Sequence, residues 1–268
     1  MEDNTSVIPP DDTTLFTSSG MQKHKRLFGD PNVHGLVLAD SQSCFRTVDL
    51  DEVGDGSHAL NFRMLGLFSF RSWTLPQGMS FWLDFLESIG WEPDRITVHP
   101  DKLEEHTRLW EQFGMGRLVE PDEGCKWSDG DIGGYCTEMY RNGLEIGNIV
   151  NPLGDCLDCG FGLERIGMSL GIHVQPGEEQ TLRESCRLLI SQGVSPGHNG
   201  RGYVLRKILR RMWLLDSDWK EPLFLRESER LGSSRARYGK LIRRNPGRTA
   251  DWWWDTHGIN LSELGEMG

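Results

Sequence analysis

Arg46, His58, Phe62 and Arg165 are residue types that together can clamp a nucleoside triphosphate. Arginine offers a planar fork that matches phosphate oxygens and stays charged at any working pH. Arg165 follows Gly160-Phe161-Gly162, and glycines let a backbone approach a ligand closely. The same four positions can equally be a surface arginine, a core histidine, a core aromatic and an ion pair at a helix start. The stretch LDCGFGLERIG, Leu157 to Gly167, also carries Asp158, a carboxylate suited to an ammonium group. Cys156 and Cys159 form a lone C-x-x-C. With no second pair at matched spacing, it fits ordinary thiols better than a zinc site.

These residues need elements to hold them. SCFRTV, then the acidic DLDEVGDGSH, then ALNFRMLGLFSF read as strand, Gly-rich turn and strand, which places Arg46 and Phe62 at the mouth of one hairpin. QGMSFWLDFLESIG and HPDKLEEHTRLWEQFG show apolar residues at helical spacing, and both predict helices packed on a sheet. GLEIGNIV reads as a strand, and LDCGFGLERIGMSLG turns from glycine-rich to helical. Residues 181–192 and 201–215 read as helices, the second with the basic RKILRRMW. Near the end, RRNPGRTADWWWDTHGIN is broken by Pro and Gly, and its three adjacent tryptophans cannot all share one face.

The 268 residues, 37% of them hydrophobic, suit one large domain or a domain with an appendage. No run of eighteen apolar residues occurs, and MEDNTSVIPPDD is acidic where a leader is basic and then apolar, so the expected location is cytoplasmic with no membrane partner. Six cysteines in such a chain do not form a secreted disulfide framework. Charge is uneven: residues 1–200 hold 15 Lys and Arg against 31 Asp and Glu, whereas residues 201–248 hold 14 against 5. Any polyanion contact is expected on that basic segment, although a solvated helix face explains it as well.

Taken together in order, the motifs resemble the catalytic core of the alanyl-tRNA synthetases, a family of class II aminoacyl-tRNA synthetases. TLFTSSGM (Thr14–Met21) resembles the end of the first class motif. Ser41–Phe70 resembles motif 2, including H-x-x-x-F at His58 and Phe62. YCTEM and EIGNIV resemble two intermediate signatures, LDCGFGLERIG resembles motif 3, and NGRGYVLRKILRR (Asn199–Arg211) resembles the entrance to the tRNA-facing helices. The match runs discontinuously from about Val7 to Arg211.

The resemblance implies an α+β fold: a six-stranded antiparallel sheet flanked by helices over residues 1–192, then a basic helical region with a Trp-rich tail over residues 193–268. It implies ATP and Mg2+ as ligands. Arg46 would contact the α-phosphate and the amino-acid carboxylate, His58 the γ-phosphate, and Phe62 the adenine. Arg165 would cover the other face of the nucleotide and hold its γ-phosphate. Glu145, with Asn148, would help hold Mg2+. Asp158 would hold the substrate amino group, with Gly160 alongside and Trp127 and Val150 lining a small side-chain pocket, so alanine is the expected amino acid. Such catalysis is positioning and charge stabilisation, with Arg46 and Arg165 as the catalytic cations.

The departures from the family bear on the second half-reaction. The motif 2 loop is short and carries Asp49, Asp51 and Glu52 in place of the expected lysine, an arrangement that repels a phosphate backbone. Arg63 stands where a glutamate is expected and Gly147 where a tryptophan is expected, and the segment between Val150 and Asp158 is abbreviated, which implies altered phosphate handling and pocket shape. Asn199, Arg206, Arg210 and Arg211 remain as acceptor or tRNA contacts in a basic stripe that includes Lys207. The expected function is therefore amino-acid activation with transfer to a small metabolite or carrier protein. The alternatives are a minimal tRNA-charging enzyme and a catalytically silent nucleotide-binding relative.

Overall fold

The computed structural model describes residues 2–10, 14–55, 58–215, 219–249 and 252–253. It divides into two compact units, Met1–Pro176 and Gly177–Gly268. The side chains of Asp49 and Asp51, and Trp254 of the tryptophan cluster, lie outside the described residues.

The first unit is built on one sheet of nine strands: β1 (Glu2–Asn4), β2 (Leu36–Phe45), β3 (Asn61–Phe70), β4 (Arg95–Val98), β5 (Val119–Pro121), β6 (Lys126–Asp129), β7 (Ile132–Arg141), β8 (Leu144–Val150) and β9 (Cys156–Gly162). Its order is β1-β2-β3-β9-β8-β7-β4-β5, with β6 pairing β7. The inner six, from β2 to β4, are antiparallel. Two short strands, β1 and β5, extend this antiparallel centre into a mixed sheet by pairing parallel at its edges. The hairpin read from the sequence is present, with Phe45 opposite Asn61.

Directly opposed residues on paired strands share a face. One row therefore runs Asp40, Gly66, Gly160, Asn148, Glu138, Thr97 across the sheet, and a neighbouring row runs Phe68, Asp158, Val150, Cys136. These two rows carry the site. The opposite face is dry: α2 (Leu75–Ser88) and α3 (Leu103–Glu111) bury Met79, Trp82, Leu86 and Trp110 against Ile149, Leu157 and Phe161. Helix α2 opens with a capping box, Thr74 with Gln77, whose side chain accepts the Thr74 N–H at 2.8 Å. Gly78 brings it close to the sheet, since a Cβ there would lie 2.7 Å from Leu157. The buried indoles of Trp110 and Trp91 donate to Thr137 (3.0 Å) and Ser169 (2.7 Å), so neither N–H is left unsatisfied. At one end of the site face, α1 (Lys25–Gly29) buries Phe28 with Met21, Phe68 and Phe70. Helix α4 (Leu163–Ser169) follows β9 directly.

The second unit contains α5 (Glu178–Ser191), α6 (Gly200–Leu215) and α7 (Pro222–Arg244). Leu182, Cys186, Leu189, Leu205, Ile208 and Phe224 are fully buried. Sequence reading grouped α5 with the sheet domain, but it packs with α6, one helix away from the expected division at residue 192. Helix α7 lies within the segment expected to be helical, residues 193–268. Arg206 corrects the idea of a solvent-facing basic stripe: it is buried, bonds Glu227 at 3.3 Å and the Gly197 carbonyl at 3.2 Å, and approaches His198 Nδ1 at 3.1 Å. Arg211 pairs with Glu178, Arg210 is half-buried, and Asn199 and Lys207 are exposed. In the tail, Trp252 and Trp253 meet edge to face at 4.9 Å, with Trp253 buried. None of the described helices is long and apolar enough to cross a membrane.

Candidate active site

A cavity of about 280 Å³ opens on the first unit over the two residue rows. Arg46, His58, Phe62 and Arg165 all line it. So do Glu145, Asn148, Asp158, Gly160, Trp127 and Val150, the remaining residues read from the sequence as nucleotide, metal or amino-acid contacts in this part of the chain.

Arg46 leaves the end of β2, where its N–H bonds the Leu60 carbonyl at 2.8 Å across the hairpin. Its Nε donates to the Ser18 carbonyl at 3.2 Å, and its guanidinium carbon lies 4.9 Å from the Phe62 ring centroid. One face of Phe62 is thus covered by Arg46. Arg165, in the first turn of α4, donates to the Glu145 carboxylate at 3.0 Å and to the Glu145 carbonyl at 3.2 Å. Burial pushes the Glu145 carboxyl up, Glu138 adds to that, and Arg165 opposes both. His58 is held by acidic residues of the motif 2 loop, with Nδ1 2.6 Å from Asp55 and Nε2 3.3 Å from Glu52. Gln175 reaches the His58 carbonyl at 3.4 Å.

Asp158 lies at the other end of the cavity on β9 and is 9% exposed. Among the described residues no cation reaches its carboxylate within bonding distance. Burial pushes its pKa up to about 7, and the charge of Asp40 adds to the shift. The cavity is therefore polarised, with two arginines toward one end and an uncompensated carboxylate at the other. That pattern matches a zwitterion whose carboxylate meets a phosphate and whose ammonium is held at a distance from it.

Cys156 and Cys159 do not form a site. Three residues apart on one strand, they face opposite sides of the sheet, Cys156 toward Phe28 and Phe70 and Cys159 toward Trp82.

Two departures from the family have local explanations. Arg63 points away from the cavity: its guanidinium bonds Ser41 at 2.8 Å, Ser43 at 3.2 Å and Asp3 of β1, while Glu164 accepts its backbone N–H at 2.9 Å. It tethers the first strand and is not a phosphate ligand. At Gly147 a Cβ would meet the Gly160 carbonyl and lie 2.6 Å from Phe161, whose ring stacks on Trp82 at 3.9 Å. That stack fills the space a tryptophan at 147 would need. Gly147→Trp is accordingly expected to destabilise the protein by about 3 kcal/mol, at the upper end of overpacking costs. Urea denaturation checks this, and an unchanged midpoint would refute the filled-space account.

Some contributors were missed. Glu138 lines the cavity, and its Oε2 accepts from Tyr140 OH at 2.7 Å and Thr97 OH at 3.2 Å. The period-two pattern Cys136, Glu138, Tyr140 was the signal that this acid shares the site face. Asp40, 1% exposed, lies behind Gly66 with Lys23 at 2.8 Å and His24 at 3.2 Å. An acid inside the apolar run GLVLADSQSCF pointed to it.

Comparisons with known proteins agree with this geometry. The family model for tRNA synthetases class II (A) matches residues 1–148. The alanine–tRNA ligase of Chlamydia trachomatis serovar L2 is 30% identical over 284 aligned residues, covering 76% of this chain and 32% of the relative. That of Rubrobacter xylanophilus is 30% identical, covering 78% and 33%, and that of Tropheryma whipplei is 28% identical, covering 77% and 31%. The chain thus spans about a third of the length of the curated relatives it matches. With an antiparallel sheet, a paired-arginine cavity and these matches in agreement, this chain belongs to the class II tRNA synthetase (A) family.

Proposed function

We propose that this protein condenses ATP with a small amino acid, preferentially alanine, to give an aminoacyl-adenylate and pyrophosphate, and passes the aminoacyl group to an acceptor other than tRNA. The observation that carries the first half is Asp158, a buried carboxylate facing the cavity with no cationic partner among the described residues. Burying such a group is costly unless the ligand supplies the charge, and an α-ammonium group does so. With the ammonium held there, the substrate carboxylate lies toward Arg46 and attacks the α-phosphorus. Arg46 offsets charge on both reacting groups as pyrophosphate leaves. Arg165, His58 and Phe62 hold the triphosphate and base. No covalent enzyme intermediate is required. The Glu145 carboxylate and Asn148 amide supply oxygen donors that fit Mg2+, which would neutralise phosphate charge when bound. Trp127 and Val150 restrict the side-chain end to a methyl-sized group.

The acceptor assignment rests on charge. At the cavity mouth Glu52 and Asp55 are turned onto His58, and in the second unit Arg206 and Arg211 are already engaged by Glu227 and Glu178. Acidic side chains at the mouth repel a phosphate backbone, and the exposed cations of the second unit, Lys207, Arg226, Arg243 and Arg244, belong to a separate unit of the chain. A small hydroxyl- or amine-bearing metabolite, or a carrier-protein thiol, fits better.

Alanine-dependent exchange of pyrophosphate into ATP, with no RNA added, is the expected result. ATP binding without exchange for any small amino acid would mean a silent nucleotide-binding protein instead. For the acceptor, tRNA binding at low salt is expected to be weak. Tight, steeply salt-dependent binding that falls in Arg210→Gln/Arg211→Gln would replace this reading with tRNA charging.

A further inference from the structure

Beside the amino-acid end of the cavity lies a cluster whose two thiols have no part in the adenylate chemistry proposed above. Cys125 immediately precedes β6 and Cys136 sits opposite it on β7, joined by a backbone bond from the Cys136 N–H to the Cys125 carbonyl at 3.0 Å. Both thiols are buried, and with Val150 and Trp127 they form a small cluster of their own. Glu138, two residues beyond Cys136, points to the same face. The Cys125 Sγ, the Cys136 Sγ and a Glu138 carboxylate oxygen all lie within 4.8 Å of one another. We propose that Cys125, Cys136 and Glu138 bind one borderline-soft divalent cation of the zinc class, bracing the β6–β7 hairpin under the amino-acid pocket.

The donor set selects the ion. Two thiolates and one carboxylate suit zinc and discriminate against magnesium and calcium, which take oxygen. At zinc–sulfur distances the ligand atoms of a tetrahedral site stand about 3.8 Å apart, inside the 4.8 Å that bounds the separations here. The carboxylate is already oriented by hydroxyls that play the part of outer-shell partners. Glu138 Oε2 accepts from Tyr140 at 2.7 Å and from Thr97 at 3.2 Å, and the Cys125 thiol in turn donates to the Thr97 oxygen at 3.1 Å. The site recruits ligands from 125, 136 and 138, so it joins the start of one strand to the middle of the next.

A disulfide between the two cysteines is the competing use of the pair, and the chemistry disfavours it. Both thiols are buried among apolar neighbours, out of reach of the oxidant or disulfide partner that exchange requires. A cation instead displaces both protons: one M2+ enters, two S–H bonds are lost and two protons leave to solvent. Affinity should therefore rise with pH.

The test uses the reduced full chain and Co2+ as a spectroscopic probe, without ATP or amino acid, so that its outcome is independent of the adenylation reading. One equivalent of Co2+ is expected to give a sulfur-to-cobalt charge-transfer band and tetrahedral d–d bands, both bleached by one equivalent of Zn2+. Cys125→Ser and Cys136→Ser are expected to weaken binding by more than the roughly 10–100-fold that loss of an outer-shell partner costs. Glu138→Gln should weaken it less, and Cys156→Ser should leave it intact. If the cysteine variants do not fold, alkylation of the unmodified protein decides: Zn2+ should protect Cys125 and Cys136 and leave the other four cysteines unaffected. No charge-transfer band with the wild-type chain, a band that survives loss of both cysteines, or equal alkylation with and without Zn2+ would each overturn the site.

Discussion

Asp158→Asn is expected to abolish alanine-dependent pyrophosphate exchange while leaving ATP affinity nearly unchanged and raising the melting temperature of the ligand-free protein. The three effects share one cause. The amide keeps the shape of the carboxylate and cannot offset an ammonium ion. Removing one partner of a buried ion pair costs about 3–5 kcal/mol, which is about 100- to several-thousand-fold in kcat/KM for the amino acid. In the empty protein the same carboxylate is a burden. Its pKa is raised to about 7 from an ordinary value near 3.8, so between those two pH values the folded chain binds more protons than the unfolded one. Ligand-free stability therefore falls as pH climbs from about 4 to about 7 and stays low above that, with an upper limit on the order of 4 kcal/mol. The asparagine variant should lack this dependence and melt several degrees higher at pH 8. The KM for alanine in the unsubstituted protein should fall as pH rises through about 7, because only the ionised carboxylate holds the ammonium. Exchange assays and thermal melts across pH 5–9 check all of this. A variant that retains exchange would show that the amino group is held elsewhere.

Arg46→Lys is expected to lower the rate of adenylate formation about 100- to 1000-fold, the range typical of removing one donor that stabilises transition-state charge. The stability cost should be small. Among the described residues the guanidinium makes only the Ser18 carbonyl bond at 3.2 Å and the stacking contact with Phe62 at 4.9 Å, so its remaining N–H groups are available to the substrates. Lysine preserves the charge as a flexible point donor and loses the planar fork that can address a phosphate oxygen and a carboxylate together. Single-turnover adenylate formation with saturating ATP separates the loss of rate from any loss of binding. An undiminished rate at unchanged melting temperature would remove Arg46 from the chemistry and leave Arg165 as the cation that carries it.

The order and spacing of the motifs determined the family, the hairpin, α2, β8, the β9–α4 junction and the residues that meet in the cavity. These features are local: turn glycines, helical and strand periodicity, and charged residues adjacent to them survive in the sequence without knowledge of the fold. The placement of α5 was not legible in this way, because α5 is amphipathic enough to serve either unit and only its packing against α6 assigns it. Tertiary structure alone decided the direction in which side chains point. Arg63 and Phe62 are adjacent yet face opposite sides of β3, one tethering the first strand and the other lining the site. Arg206 looked like part of a cationic stripe and is instead a buried partner of Glu227. Cys156 and Cys159 share a motif and no surface, whereas Cys125 and Cys136, eleven residues apart, meet across paired strands. Strand register causes each of the strand outcomes. It alternates faces every residue and brings together positions far apart in the chain, so it depends on which strands pair and cannot be read from any one of them.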